Sequence, residues 1–102
     1  MFAESEQPDS SARLTLRAIY HGRVQGVGFR YRTTRLVQQY PIYGYVKNLS
    51  DGTVEVVVQA EDKTALEQFF DDMMLTFAAN VTDVSVEEID CEIHYQQFQI
   101  ER

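Results

Sequence analysis

Apolar and polar residues alternate through LTLRAIYH, residues 14 to 21, with Leu14, Leu16, Ala18 and Tyr20 on one side: the two-residue period of a strand with one buried face. The period then lengthens. Phe29, Leu36, Val37 and Tyr40 recur at helical spacing, and Pro41 closes that segment because proline cannot continue a helix. Residues 42 to 60 return to β-rich runs on either side of Asp51-Gly52, a dipeptide suited to the positive backbone angles of a tight hairpin turn. Ala65, Leu66, Phe69, Phe70, Met73, Met74 and Phe77 trace a second amphipathic helix with Asp62 as its N-cap, and this Met and Phe stripe is expected to pack the core. Residues 81 to 89 predict a fourth strand, and 95 to 100 a short fifth at an edge.

The order β-α-β-β-α-β predicts an α+β, ferredoxin-like sandwich, an antiparallel sheet with two helices on one face. In that arrangement the first two strands both flank the third and run antiparallel to it. They are therefore parallel to each other and finish at one shared edge. HGRVQGVGFR, residues 21 to 30, follows the first strand, and KNLS, residues 47 to 50, ends the second. Both are expected to meet beside the start of the first helix. The domain is expected over residues 13–102, behind a flexible tail of residues 1–12.

Composition narrows the class. A chain of 102 residues can bury one core without disulfides or a structural metal. Cys91 is the one cysteine and cannot form an intramolecular bridge, and there is no Cys/His cluster, so no metal or cofactor is expected and a reducing cytoplasm fits. The opening MFAESEQPDSSA has acidic residues and proline where a signal peptide needs basic residues and then an apolar stretch. Apolar runs of a few residues are too short for a membrane span. The net charge of -7 argues against broad phosphate neutralisation on nucleic acid and against an anionic lipid surface. Nothing in the pattern calls for an obligate partner, and a monomer is expected.

The average charge hides a local reversal. From Arg13 through Ser50 there are seven positive residues and no Asp or Glu. Such segregation suits one positive site for a small anion, although a shared solvated face would produce it too. Within that window Gly22, Gly26 and Gly28 relax the backbone so that consecutive N–H groups can turn toward one centre, and the following helix N-terminus adds unsatisfied donors. Arg30 falls in the first helical turn, where a cation is mildly unfavourable for the helix itself and so points to another use. The spacing matches neither common phosphate loop. Val27 and Gly28 stand where the Walker pattern needs Lys and Ser/Thr, and Tyr31 stands where the dinucleotide pattern has its third glycine. From glycine spacing alone, a tight connection and a phosphate site stand level; the arginines and the missing carboxylates tip the balance toward the anion.

GRVQGVGFR, residues 22 to 30, followed by GYVKNLSDGTVEV, residues 44 to 56, resembles the acylphosphatase family in the wording of both motifs and in their separation. The likeness runs from about Leu14 to the C-terminus. It implies a ferredoxin-like hydrolase of carboxyl-phosphate mixed anhydrides, an acylphosphatase (EC 3.6.1.7) acting on small acyl phosphates without a metal. The resemblance assigns phosphate binding to Arg30, positioning of the attacking water to Asn48, and the phosphate-holding backbone to Arg23, Val24, Gln25, Gly26, Val27 and Gly28. This chain departs from the family at three places: Tyr45 stands where tryptophan is common, Ala60 where glycine is common, and FAANVTDV, residues 77 to 84, lacks a common Gly-Pro.

The residue types suit that chemistry. The leaving carboxylate has a conjugate acid of pKa roughly 4 and departs without protonation, so no strong general acid is required. What remains is to hold the phosphoryl group, balance its charge and align a water, which backbone N–H groups, a forked guanidinium and a side-chain amide can supply. By residue type alone Asn48 is a turn residue beside Ser50-Asp51-Gly52; the shared edge and the resemblance favour the water-holding role. His21, His94 and Cys91 are expected at the surface or an edge, Arg23 is not assigned a catalytic role, and Lys47 should point to the opposite face from Asn48. A non-catalytic module that binds phosphate or carbamoyl phosphate in the same cradle is the alternative. RNA binding ranks last, because TVEVVVQ, residues 53 to 59, lacks stacking aromatics.

Overall fold

The computed structural model describes residues 12–102, so all but the last residue of the expected tail lies outside the described residues. Seven elements follow in order: β1 Leu14–Gly22, α1 Phe29–Val37, β2 Tyr43–Asn48, β3 Val54–Ala60, α2 Lys63–Thr76, β4 Val81–Glu88 and β5 Phe98–Glu101. The strands form one sheet in the order β4-β1-β3-β2-β5. β3 is central and antiparallel to both β1 and β2, and β4 is antiparallel to β1. These four strands make the expected antiparallel sheet. The fifth runs parallel to β2 and so makes the sheet mixed.

Residues 89–97 lead from β4 at one edge of the sheet to β5 at the other, and they cross without a helix. They pass over the sheet face that the helices leave bare, pinned by Gln59 of β3. Gln59 Nε2 donates to Ile93 O at 2.7 Å and to Thr15 Oγ1 at 3.1 Å, while its Oε1 accepts from Tyr95 N at 3.1 Å and from Arg13 Nη1 at 2.9 Å. With both polar atoms doubly bonded, the amide is buried without penalty. On the same face the Glu55 carboxylate takes Arg17 Nε at 2.6 Å and the Tyr45 hydroxyl at 3.0 Å.

Strand alternation decides what faces the helices. Val54, Val56, Val58 and Ala60 of β3 join Ala18, Tyr20 and Val46 beneath a helical layer of Phe29, Val37, Leu66, Phe69 and Met73. α2 follows its cap, with Asp62 accepting from Thr64 N at 2.9 Å, and its stripe except at Met74, which the helix turns out to solvent. α1 is shorter than its pattern, ending at Val37, and one core-facing position is Thr33, whose hydroxyl is satisfied by Met73 Sδ at 3.8 Å. The β2–β3 turn also differs from a two-residue hairpin. Leu49 N donates to Thr53 O at 2.9 Å and Gly52 N to Leu49 O at 3.2 Å, leaving a three-residue loop in which Gly52 takes the positive φ. Asp51 closes it by accepting from Thr53 Oγ1 at 2.6 Å and Thr53 N at 3.0 Å. Among the described residues no helix is long and apolar enough to cross a membrane.

Candidate functional site

One residue levels the two halves of the site. Val54, at the start of β3, pairs with Tyr20 of β1 on one side and with Asn48 of β2 on the other. The ends of β1 and β2 therefore reach the same height, as the topology requires. Below them, the rings of Tyr20, Phe29 and Phe77 stack in sequence, with centroid separations of 5.3 and 4.2 Å. Burial pushes the Tyr20 phenol well above its ordinary value, so it acts here as a neutral packing group.

The connection from β1 to α1 is anchored by Val24, whose side chain is fully buried. Gly26 and Gly28 on its far side have φ of +80° and +75°. Around Gly26 there is open space, so the backbone angle rather than crowding excludes a side chain there. Gly28 is also the N-cap of α1 and offers no side-chain acceptor to the first helical N–H groups. Arg23 differs from its neighbours: its N–H donates to Asn80 O at 2.9 Å, and its side chain is exposed. Among the described residues, no protein acceptor takes the N–H groups of Val24 through Gly28.

Val24, Gly26 and Gly28 of this loop, but not Gln25 or Val27, border a pocket of about 180 Å³ whose wall also includes Arg30, Tyr31 and Asn48, with Ile100 bringing in β5. Arg30 is partly exposed and makes no ion pair among the described residues. Asn48 Oδ1 is buried and has no hydrogen-bond partner among the described residues. An orphaned buried acceptor is costly unless something in the pocket donates to it. The fold thus brings a guanidinium, an unsatisfied amide oxygen and open backbone donors to one small cavity.

Gln25 is the positioning residue that sequence patterns missed. Its Nε2 donates to Leu49 O at 2.8 Å and to Thr53 O at 2.9 Å, fastening the glycine loop to the hairpin just beyond Asn48. The one signal in the sequence is a long polar side chain set among glycines and valines, and only the folded contact gives it meaning. Other candidates lie elsewhere. His21 and His94 are exposed, Cys91 Sγ donates to Ile93 O at 3.5 Å within the crossover, and Lys47 alternates away from Asn48. Tyr45 packs edge-on against Tyr95 on the back face, 5.9 Å between centroids, and Ala60 is fully buried. The turn that lacks Gly-Pro holds Asn80, whose carbonyl anchors Arg23. Among the described residues no three His, Cys, Asp or Glu side chains gather as metal ligands.

Comparison with known proteins agrees with this architecture. A family model described as Acylphosphatase matches residues 16–100. An acylphosphatase from Paraburkholderia xenovorans is 38% identical over 99 residues, covering 90% of this chain and 96% of the relative. One from Thermotoga maritima is 42% identical over 86 residues, covering 83% and 93%. The crystal structure of acylphosphatase from Bacillus subtilis superposes with a TM-score of 0.75 at 34% identity, covering 87% of this chain and 99% of that one.

Proposed function

Because the chain belongs to the acylphosphatase family, we propose that it hydrolyses small acyl phosphates through the pocket between the glycine loop and Asn48, with no metal ion. The observation that carries this proposal is the partnerless Oδ1 of Asn48, buried in the wall of the pocket that Arg30 and the loop glycines also line.

In this mechanism the phosphoryl group occupies the cradle, its equatorial oxygens held by the loop and helix N–H groups and by the fork of Arg30. Asn48 Oδ1 accepts one proton of a water and so turns a lone pair toward phosphorus. The water oxygen forms the new P–O bond as the bond from phosphorus to the acyl oxygen breaks. The electron pair of the broken bond leaves on the carboxylate, which needs no proton at neutral pH. The water protons stay with the new phosphate or pass to solvent. An acyl phosphate and one water become a carboxylate and inorganic phosphate, and no residue is consumed. Gln25 holds loop and hairpin at the spacing the in-line approach needs.

The test compares benzoyl phosphate with a phosphate monoester in the presence of a chelator. Cleavage of the first alone is expected. Dependence on magnesium or zinc refutes the mechanism, and saturable phosphate binding without hydrolysis replaces it with a phosphate- or carbamoyl-phosphate-binding module. From the single cysteine we also propose a reducing cytoplasm for the protein, and we propose that it is a monomer. Light scattering at working concentration checks the oligomeric state.

A further inference from the structure

We propose that the open pocket beyond Tyr31, walled by Arg32 and Arg35, is the acyl-group subsite and selects acyl phosphates whose acyl moiety carries a second anionic group. The proposal rests on the hydrolytic mechanism above, because an in-line displacement fixes where the leaving group goes.

Water held by Asn48 approaches phosphorus from the sheet, so the carboxylate must depart on the opposite side. Phe29 buries its ring against the sheet at 1% exposure. Two residues on, about 200° around the helix, Tyr31 points away from the sheet and is 58% exposed. Yet Tyr31 still borders the phosphate pocket. It also borders a second, wider cavity of about 460 Å³, whose wall includes Arg32, Arg35 and Thr76. An acyl group leaving the cradle on the solvent side passes over Tyr31 into that space.

Its walls are cationic and braced. Arg35 Nη1 donates to the Tyr31 hydroxyl at 3.0 Å. The Arg32 guanidinium lies over the Phe77 ring, 4.7 Å from its centroid, and Nη2 donates to Thr76 O at 3.4 Å. Arg32 has a structural use, since it meets a carbonyl in the last turn of α2, where positive charge is favourable. Arg35 stands in the last turn of α1, where a cation likewise suits the helix, but beyond that its side chain reaches only the ring and hydroxyl of Tyr31. Two like charges three residues apart on α1 weaken the helix, and no Asp or Glu from Arg13 to Ser50 relieves them. In a chain of net charge -7, this local field favours an anion arriving with the substrate. An uncharged acyl group leaves the remaining donors of both guanidinium groups unmet, whereas a carboxylate or phosphate at its far end can meet them with charge-assisted hydrogen bonds.

The experiment uses two rigid substrates of similar shape, 4-carboxybenzoyl phosphate and 4-methylbenzoyl phosphate, and reads the ratio of their kcat/KM values. The unaltered protein is expected to favour the carboxylated substrate, carried mainly by KM, with the preference shrinking in 0.5 M salt as the charges are screened. In Arg35→Gln the ratio is expected to fall about fivefold, and in Arg32→Gln with Arg35→Gln about tenfold, the range of one or two exposed charge contacts. Because each variant is its own control, a general loss of stability lowers both rates and leaves the ratio intact. A ratio at or below one in the unaltered protein, or one that stays within twofold in the double variant, overturns the subsite while hydrolysis itself stands. If neither substrate is cleaved, the acylphosphatase mechanism falls first and takes this inference with it.

Discussion

Replacing Asn48 by leucine separates two roles that most substitutions confound. Asn48 Oδ1 is buried without a protein partner, and a buried acceptor left unsatisfied costs about 1–3 kcal/mol. Leucine has a similar volume, carries no polar atom, and enters a wall that already contains Val24, Phe29 and Ile100. The backbone pairing of residue 48 with Val54 does not depend on the side chain. A water held there as proposed would offset part of the penalty in the native protein, so stability is expected to hold or rise by up to about 1 kcal/mol, a Tm change of 0 to about +8 °C for a domain of this size. Turnover behaves oppositely. Losing one preorganised polar group at the reacting centre lowers kcat by about 10²–10³. Thermal unfolding followed by circular dichroism, together with benzoyl phosphate hydrolysis by the same preparation, reads both quantities. If Asn48→Leu loses several degrees of Tm in parallel with activity, the amide is a structural turn residue and the water-holding role is wrong. Near-native turnover refutes that role just as directly.

Three further outcomes are expected. Arg30→Lys should lower kcat/KM on benzoyl phosphate by about a hundredfold, nearly as much as Arg30→Ala, because an ammonium cannot reproduce a two-pronged grip; activity within a few fold of native would remove the fork from the argument. Gln25→Glu, which keeps the shape of the clamp but turns its donor into an acceptor facing two carbonyls, should cost about 1–3 kcal/mol in urea unfolding and more kcat than Gln25→Met does; equal behaviour of the two variants would mean that the hydrogen bonds do not matter. The Asp51 carboxylate is held below its ordinary value of 3.8, first by the Thr53 hydroxyl and then by the Thr53 N–H. Its stabilising contribution is therefore complete above that value and is lost as the pH falls through the lowered folded value. Asp51→Asn should make urea midpoints between pH 6 and 3 less steep, and an unchanged slope would contradict the assignment.

Most of the frame that carries these groups was legible in the chain. Hydrophobic period located β1 and α2, β-rich runs around Asp51-Gly52 located the two hairpin strands, and topology then required the loop after β1 to meet the end of β2. The motif resemblance singles out Arg30 and Asn48, and the fold brings both to the wall of one pocket. What escaped has a common physical cause. The run of β5 parallel to β2 depends on backbone pairing, and the Gln59 pin and the Gln25 clamp on polar side chains meeting backbone, in each case tens of residues away. Such contacts leave no periodic trace. Thr33 was invisible for a related reason: a hydroxyl at a core-facing position breaks the apolar stripe, and only Met73 Sδ on the other helix makes it acceptable there. The engagement of the Arg23 N–H with Asn80 likewise appears only once the turn after α2 is folded against the loop.

The double pairing of Val54 with Tyr20 and Asn48 reaches beyond geometry into kinetics. A slip of one residue in the ladder between β2 and β3 would send the Asn48 amide to the wrong face of the sheet. On the proposed mechanism no partly zipped chain can be partly active, because Asn48 and the glycine loop come into alignment only when both ladders on β3 have closed in register. Regain of catalysis during refolding should lag any helix signal and coincide with the final cooperative step, which makes turnover a clock for the completion of folding.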